Sequence, residues 1–331
     1  MRIFVYEHVT GGGMAGQALP PSLTREADVM VQALVRDLLE VPGITLLACR
    51  DPRLPPLPGV ELVTPRHGET PFELFGRGLE AADAVWPTAP ETGGVLEQLA
   101  RMTLERQRVL LGCRPEAVRL AGSKYLTAHC LRDAGVPVVP TFRSGDSLPP
   151  RPGSWVVKPD DGAGCEGARR VAGQGVAQRA LDETPGLVAQ PWLEGEPMSL
   201  SLLCSGGSAR VLSVNRQRVR FVADRPVLDA LQINALPTRE PEHGLLAERI
   251  AASVPGLWGC VGVDFLATPY SPVVLEVNPR LTTSFSALRQ ATGLNAPAMV
   301  LAMIRGDALP SGFERTIDIA VDVPLESAGD H

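Results

Sequence analysis

Between Trp258 and Ser284 the chain reads WGCVGVDFLATPYSPVVLEVNPRLTTS, and no other stretch restricts the fold as tightly. Two short apolar runs, CVGVDFLA and VVLEVN, flank a Thr-Pro-Tyr-Ser-Pro segment, the pattern of a β-hairpin. With the strands paired about Tyr270, Asp264 falls opposite Glu276. Side chains alternate along a strand, so Asn278 shares their face. Two ionised carboxylates this close repel each other, and burial worsens the repulsion unless a cation intervenes. A hard divalent ion suits them, since Mg²⁺ takes a few carboxylates and lets substrate phosphates complete its shell. The alternative is a hairpin whose polar face points at water.

A chain of 331 residues is long enough for two or three packed domains. A net charge of −6, with scattered acids, gives no nucleic-acid footprint. No apolar run approaches the roughly 18 residues of a membrane span. The start, MRIFVYEHVTGGG, lacks the features of a signal peptide. Cys49, Cys113, Cys130, Cys165, Cys204 and Cys260 are widely spaced, without a CxxC, which predicts reduced thiols in a cytoplasm and no zinc site. Of 31 basic residues only Lys124 and Lys158 are lysines. In so arginine-rich a chain, two surviving ammonium groups point to positions where a compact, adaptable cation is needed, although chance survival is the competing reading.

In chain order, strands are expected at 2–6, 44–49, 60–63 and 82–87, with helices at 24–40, 71–81 and 92–110. This alternation describes a small parallel-sheet domain over 1–115. Its loops at 7–13, around His8, and 90–94, around Glu91, follow strand ends, where open α/β sheets place ligands. GGGMAG at 11–16 is not a GxGxxG dinucleotide signature. Glu91 either faces a ligand or is an ordinary acid in the first turn of a helix. A ten-residue helix ending at Gly135 carries Lys124 in its first turn, where the helix dipole disfavours a cation and a nearby anion would explain it. SWVVKP is a strand carrying Lys158, leading into DDGAGCEG, whose small residues can bring backbone N–H groups close to phosphates. Further on, 175–182 is expected as a helix, LVAQPWLEGEPMSLSLLCSGG as two strands, and VLSVNRQRVRFV as a strand pair followed by a loop to about 239. Helices are then predicted over 241–254 and 285–304, with a last strand in TIDIAVDV.

Taken together, a lysine on a first helix, a strand lysine before a glycine-rich loop, a QPWLEG hinge and a D…ExNPR ending resemble an ATP-grasp ligase over residues 115–305. The resemblance implies α/β and α+β architecture: a Rossmann-like pre-ATP-grasp domain (1–115), then a two-lobed ATP-grasp domain (116–192 and 193–331). It implies that Lys124 and Lys158 contact the α- and β-phosphates of ATP, beneath a loop containing Asp161, Gly162, Gly164 and Gly167. Gln190, Pro191, Trp192 and Leu193 would line the adenine. The ribose contact would fall to Glu196 or Glu194, since Pro197 stands where many members carry an acid. Asp264, Glu276 and Asn278 would hold Mg²⁺ or Mn²⁺, with Arg280 and Lys158 as catalytic groups. MRIFVYEHVTGGG, TAPETGG and LEVNPRLTTSF are further similar to the tyramine–glutamate ligase group, which serves methanofuran-type cofactor biosynthesis. That similarity implies substrate contacts from His8, Glu91 and Ser284. The expected partners are small-molecule carboxylate and amine substrates, with neither nucleic acid nor membrane, and a homodimer is compatible. Another ATP-grasp amino-acid or peptide ligase, or a non-catalytic ATP-binding protein, are the alternative readings.

Overall fold

The computed structural model describes residues 1–162, 165–236, 240–309 and 321–324. Among them the strands form three sheets. The first is parallel and contains β1 (Arg2–Glu7), β2 (Thr45–Cys49), β3 (Glu61–Val63), β4 (Ala84–Thr88) and β5 (Val109–Leu110), in the spatial order β3-β2-β1-β4-β5. Helices α1 (Pro21–Leu39), α2 (Pro71–Glu80), α3 (Val95–Glu105) and α4 (Pro115–Ala121) accompany it. Strand order reverses beside β1, so a crevice opens at the carboxyl ends of β1 and β4. Glu7 and Thr88 pair in register at that edge. After Glu7 the chain makes one wide turn, Val9–Gly13, in which Gly12 takes φ 97°, a conformation that favours glycine.

Helix α5 (Lys124–Asp133) leads into a four-stranded antiparallel sheet of β6 (Phe142–Arg143), β7 (Ser154–Pro159), β8 (Arg169–Ala172) and β9 (Leu187–Pro191), on which α6 (Gln174–Glu183) packs. The third sheet is antiparallel and has six strands. These are β10 (Glu196–Ser205), β11 (Ser208–Val222), β12 (Arg225–Leu236), β13 (Gly259–Ala267), β14 (Pro272–Asn278) and β15 (Val321–Pro324). Helices α7 (Pro241–Ser253), α8 (Leu288–Thr292) and α9 (Ala296–Arg305) complete the described chain.

Several expectations need correction. The single helix predicted over 92–110 is a short turn at Thr92–Gly94, then α3, then edge strand β5. Gly93 and Gly94 at one end, and Gln107 at φ 55° at the other, turn the chain out of the helix. VLSVNRQRVRFV is one strand rather than two, and its partner β12 lies where a loop was expected; the reversal uses Ala223 at φ 57°, without a glycine to signal it. The helix predicted over 285–304 is broken by Gly293 at φ 75° and restarts at Asn295, whose side chain caps Ala298 N at 2.9 Å. Of the last expected strand, Val321 to Val323 pair with β12, while 316–320 lie outside the described residues.

β1 is apolar on both faces because both are covered. Ile3 and Val5 join one core with α1, α9 and Phe285, whereas Phe4 and Tyr6 join another with α2, β10 and β13. On that second face Gly78 of α2 lies so close to β1 that a Cβ there would stand 2.2 Å from the Phe4 ring. Phe4 is itself wedged against Phe75, with centroids 5.5 Å apart. Gly78→Ala should therefore destabilise the protein by about 1–3 kcal/mol through overpacking, although alanine is the better helix former. An unchanged urea midpoint would show that α2 does not pack this tightly on β1.

Candidate active site

The β13–β14 hairpin turns at Thr268–Ser271, with Ala267 opposite Pro272. Continued without interruption, that register would set Asp264 against Leu275. A bulge beside Asp264 takes up the extra residue and brings Glu276 opposite Asp264. Asn278 then pairs with Gly262, where a Cβ would meet Thr282 at 2.4 Å, so glycine is required by close approach. Gln217 of β11 donates to Asp264 Oδ1 at 2.7 Å, and the Asn278 amide donates to Oδ2 at 3.0 Å. Burial, and then the charge of Glu276, push the Asp264 carboxyl up to about 7. Burial acts the same way on Glu276, but Lys124 and Lys158 outweigh it and hold that carboxyl below its usual range.

Both lysines face this pair. Lys124 Nζ lies 3.6 Å from Glu276 Oε2 and donates to the carbonyls of Asp160, at 3.4 Å, and Gly162. Lys158 is on β7, and burial depresses its ammonium despite the opposing pull of Glu276. Asp160, two residues on, joins the two lysine-bearing elements: its carboxylate accepts from Ser123 Oγ (2.7 Å) and Tyr125 N (2.8 Å) at the start of α5. A carboxylate at a helix N-terminus is favourable, and it offsets the cation in the first turn of α5. In the glycine-rich loop, Gly162 and Gly167 both lie against Pro159, and Gly167 takes φ 70°. Gly164 lies outside the described residues. Asp161 is tied to the first sheet, accepting from Gly93 N at 3.0 Å through its carboxylate and from Thr92 Oγ1 at 3.0 Å through its carbonyl.

Arg280 leaves the end of β14 and forks onto Glu91, with Nε to Oε1 at 2.9 Å and Nη2 to Oε2 at 3.2 Å. Both side chains are largely buried. Glu7 is buried beneath them and accepts from Val9 N (3.1 Å), Thr10 N (2.7 Å) and Thr10 Oγ1 (2.7 Å); burial nevertheless raises its carboxyl. His8 lies farther out, with Nδ1 3.3 Å from the Tyr6 hydroxyl. Ser284 is buried and its hydroxyl meets those of Ser201 and Thr282, each at 2.9 Å.

On the other flank, Gln190 is buried and bonds Thr141 Oγ1 at 2.9 Å. Pro191 ends β9, and Trp192 N bonds Ser154 O at 2.9 Å while its indole donates to Glu194 at 2.6 Å. The Arg170 guanidinium stacks on the Trp192 ring at 4.3 Å. Leu193 lies in the connection to β10, and Glu196 is half exposed and paired with Arg216. Asp160 and Gln217 are site residues that sequence reasoning missed. Gln217 could not be found while β11 was read as two strands; Asp160 was legible as an acid directly after KP.

A pre-ATP-grasp domain model matches residues 44–118, and an ATP-grasp domain model matches residues 121–284. The chain belongs to the ATP-grasp family. This ATP-grasp chain is 26% identical over 292 residues to a tyramine–L-glutamate ligase of Methanocaldococcus jannaschii, covering 87% of this chain and 84% of the relative. Its fold resembles that of an ATP-grasp superfamily protein from Archaeoglobus fulgidus (TM-score 0.71, 23% identity, 97% and 91% of the two chains). It also resembles N5-carboxyaminoimidazole synthetase from Staphylococcus aureus, solved with ADP (TM-score 0.69, 16% identity, 93% and 78%). No helix among the described residues is long and apolar enough to cross a membrane.

The donor set fits a hard divalent cation. Among the described residues no three of His, Cys, Asp and Glu gather as a metal cluster. At the hairpin the protein instead offers two carboxylates and an amide oxygen, and leaves the remaining ligands to others. Metal binding requires Asp264 to lose its proton. Mn²⁺ should therefore bind roughly tenfold more tightly at pH 8 than at pH 6, measured by electron paramagnetic resonance, and Asp264→Asn should flatten the dependence. Without metal the sign reverses. The native state keeps the Asp264 proton from the ordinary 3.8 up to about 7, so this group's contribution to stability declines as pH rises through that window. Affinity independent of pH would remove Asp264 from the metal site.

Proposed function

We propose that this chain is an ATP-dependent carboxylate–amine ligase that works through an acyl phosphate. The observation that carries the reading is Lys124 3.6 Å from Glu276 on the paired hairpin, with the charges of Lys158 and Arg280 acting on the same carboxylate. A carboxylate is a poor electrophile, because direct attack by an amine would have to expel oxide. Attack of a carboxylate oxygen on the γ-phosphorus of ATP releases ADP and gives an acyl phosphate. The amine nitrogen then forms the C–N bond as the C–O bond to phosphate breaks. Phosphoryl transfer of this kind needs cations and positioning more than covalent help.

In this reading a front domain (1–115) covers a lobe at 116–192 and a lobe at 193–331. Lys124 and Lys158 hold phosphates, and Lys158 and Arg280 meet the charge that develops on the transferred group. Asp161, Gly162, Gly164 and Gly167 belong to the covering loop. Gln190 to Leu193 line the adenine and Glu196 takes the ribose. Asp264, Glu276 and Asn278 hold Mg²⁺ or Mn²⁺, which would neutralise phosphate oxygens when bound. The acceptor is the γ-carboxylate of glutamate and the nucleophile tyramine, tyrosine or a related aromatic amine, in methanofuran-type cofactor biosynthesis. Identity of 26% across most of both chains supports this finer assignment.

ADP should appear only when a carboxylate is present, since the phosphoryl group needs that acceptor. Lys158→Arg should lower turnover at least about tenfold despite keeping the charge, because a planar fork cannot replace a point donor in a closed pocket. ADP release without any carboxylate would sink the ligase reading. Wild-type kinetics in Lys158→Arg would sink the role given to that lysine.

A further inference from the structure

An amine nucleophile arrives protonated, so a ligase of the kind proposed above needs an anion near the reacting centre to receive it. Among the described residues five carboxylates stand at the hairpin and around Arg280, and four are engaged. Asp160 and Asp161, in the glycine-rich loop, are tied instead to the start of α5 and to the loop after β4. Asp264 and Glu276 face the lysines and the metal position. Glu91, which the sequence reading sets against the substrate, has both oxygens on Arg280. Glu7 is filled by two backbone N–H groups and the Thr10 hydroxyl.

The fifth is Glu26, in the second turn of α1. Among the described residues its carboxylate accepts from one group, the Thr283 hydroxyl. Thr283 is buried in the turn that follows Arg280, and α1 packs along that turn, so the wall carrying Glu26 is fixed to the end of the hairpin. Glu26 itself is only partly buried. Its charge also acts on the Arg280 guanidinium and on the Cys165 thiol of the glycine-rich loop. Through Thr283, three residues beyond Arg280, Glu26 is set beside the residue that meets the transferred phosphoryl group. A nitrogen attacking the acyl carbon has to arrive there. The α-ammonium of a glutamate reacting at its γ-carboxylate lies three carbons away from that centre.

We propose that Glu26 is the binding residue for the protonated nitrogen of the amine substrate, held in place by Thr283. The inference rests on the ligase reading, and hydroxylamine separates the two. Hydroxylamine is uncharged at pH 7.5 and attacks acyl phosphates to give a hydroxamate, so it measures acyl-phosphate formation without ammonium recognition. With glutamate and ATP saturating, kcat/KM for tyramine and for hydroxylamine are measured on the same preparation of wild type, Glu26→Gln and Glu26→Asp. Their ratio does not depend on how much of the variant is folded. It should fall at least about tenfold in Glu26→Gln, the loss expected for a hydrogen bond to a charged group, and recover in part in Glu26→Asp. A ratio within about twofold of wild type, or a rise in the KM of glutamate in place of that of tyramine, overturns the assignment and leaves the ligase reading standing. No hydroxamate from the wild-type protein with any carboxylate overturns both.

Discussion

Two buried carboxylates opposite each other on one hairpin are unstable unless positive charge is brought to them, and much of this structure follows from that need. Lys124 comes from the start of α5 and Lys158 from a strand of the small sheet, so the compensating charges are carried by other parts of the chain. Asp160 and the carbonyl of Gly162 then fix Lys124 relative to Lys158. Lys124 lies 3.6 Å from Glu276, and burial still raises the Asp264 carboxyl beside it. The protein alone has not neutralised the pair. A divalent ion would complete the balance.

A second set of contacts joins the same centre to the front sheet. The loop after β4 gives Glu91 to Arg280 and Thr92 and Gly93 to Asp161, so adjacent residues grip both the hairpin end and the glycine-rich loop. This loop rises from the switch point of the parallel sheet, where the sequence reading set a ligand-facing loop against an ordinary helix start. What the sequence could not show was that Glu91 would find an arginine 189 residues away.

Legibility in the sequence followed the range of the interactions. The Asp264–Glu276 pairing could be read because both strands are adjacent in the chain and apolar residues frame them. It was reached from a turn centre that ignored the bulge, which local pattern does not reveal. The alternation that identifies β1 and β2 is likewise local. By contrast, β12 was missed because Ala223 carries a backbone conformation usually marked by glycine or asparagine. Glu26 gave no signal at all: on an amphipathic helix it reads as one more solvated acid, and only the fold brings Thr283 to it.

The small antiparallel sheet has a core of its own, centred on Trp155, Val157, Leu181 and Ala189, separate from the two large cores that run through the rest of the molecule. Its attachments at Asp160, Asp161 and Arg170 are hydrogen bonds. Such bonds are directional and few, whereas apolar contact is broad and tolerant of small shifts. Ring contacts of Trp192 with Phe221 and of Arg143 with Tyr125 add to these bonds, but moving this sheet as a flap would still disturb neither large core. The same division makes the flap the weaker of two cooperative units. Its backbone amides should lose protection against solvent exchange before those of β1 or β13, and a nucleotide that bridges flap and base would raise that protection from both sides at once.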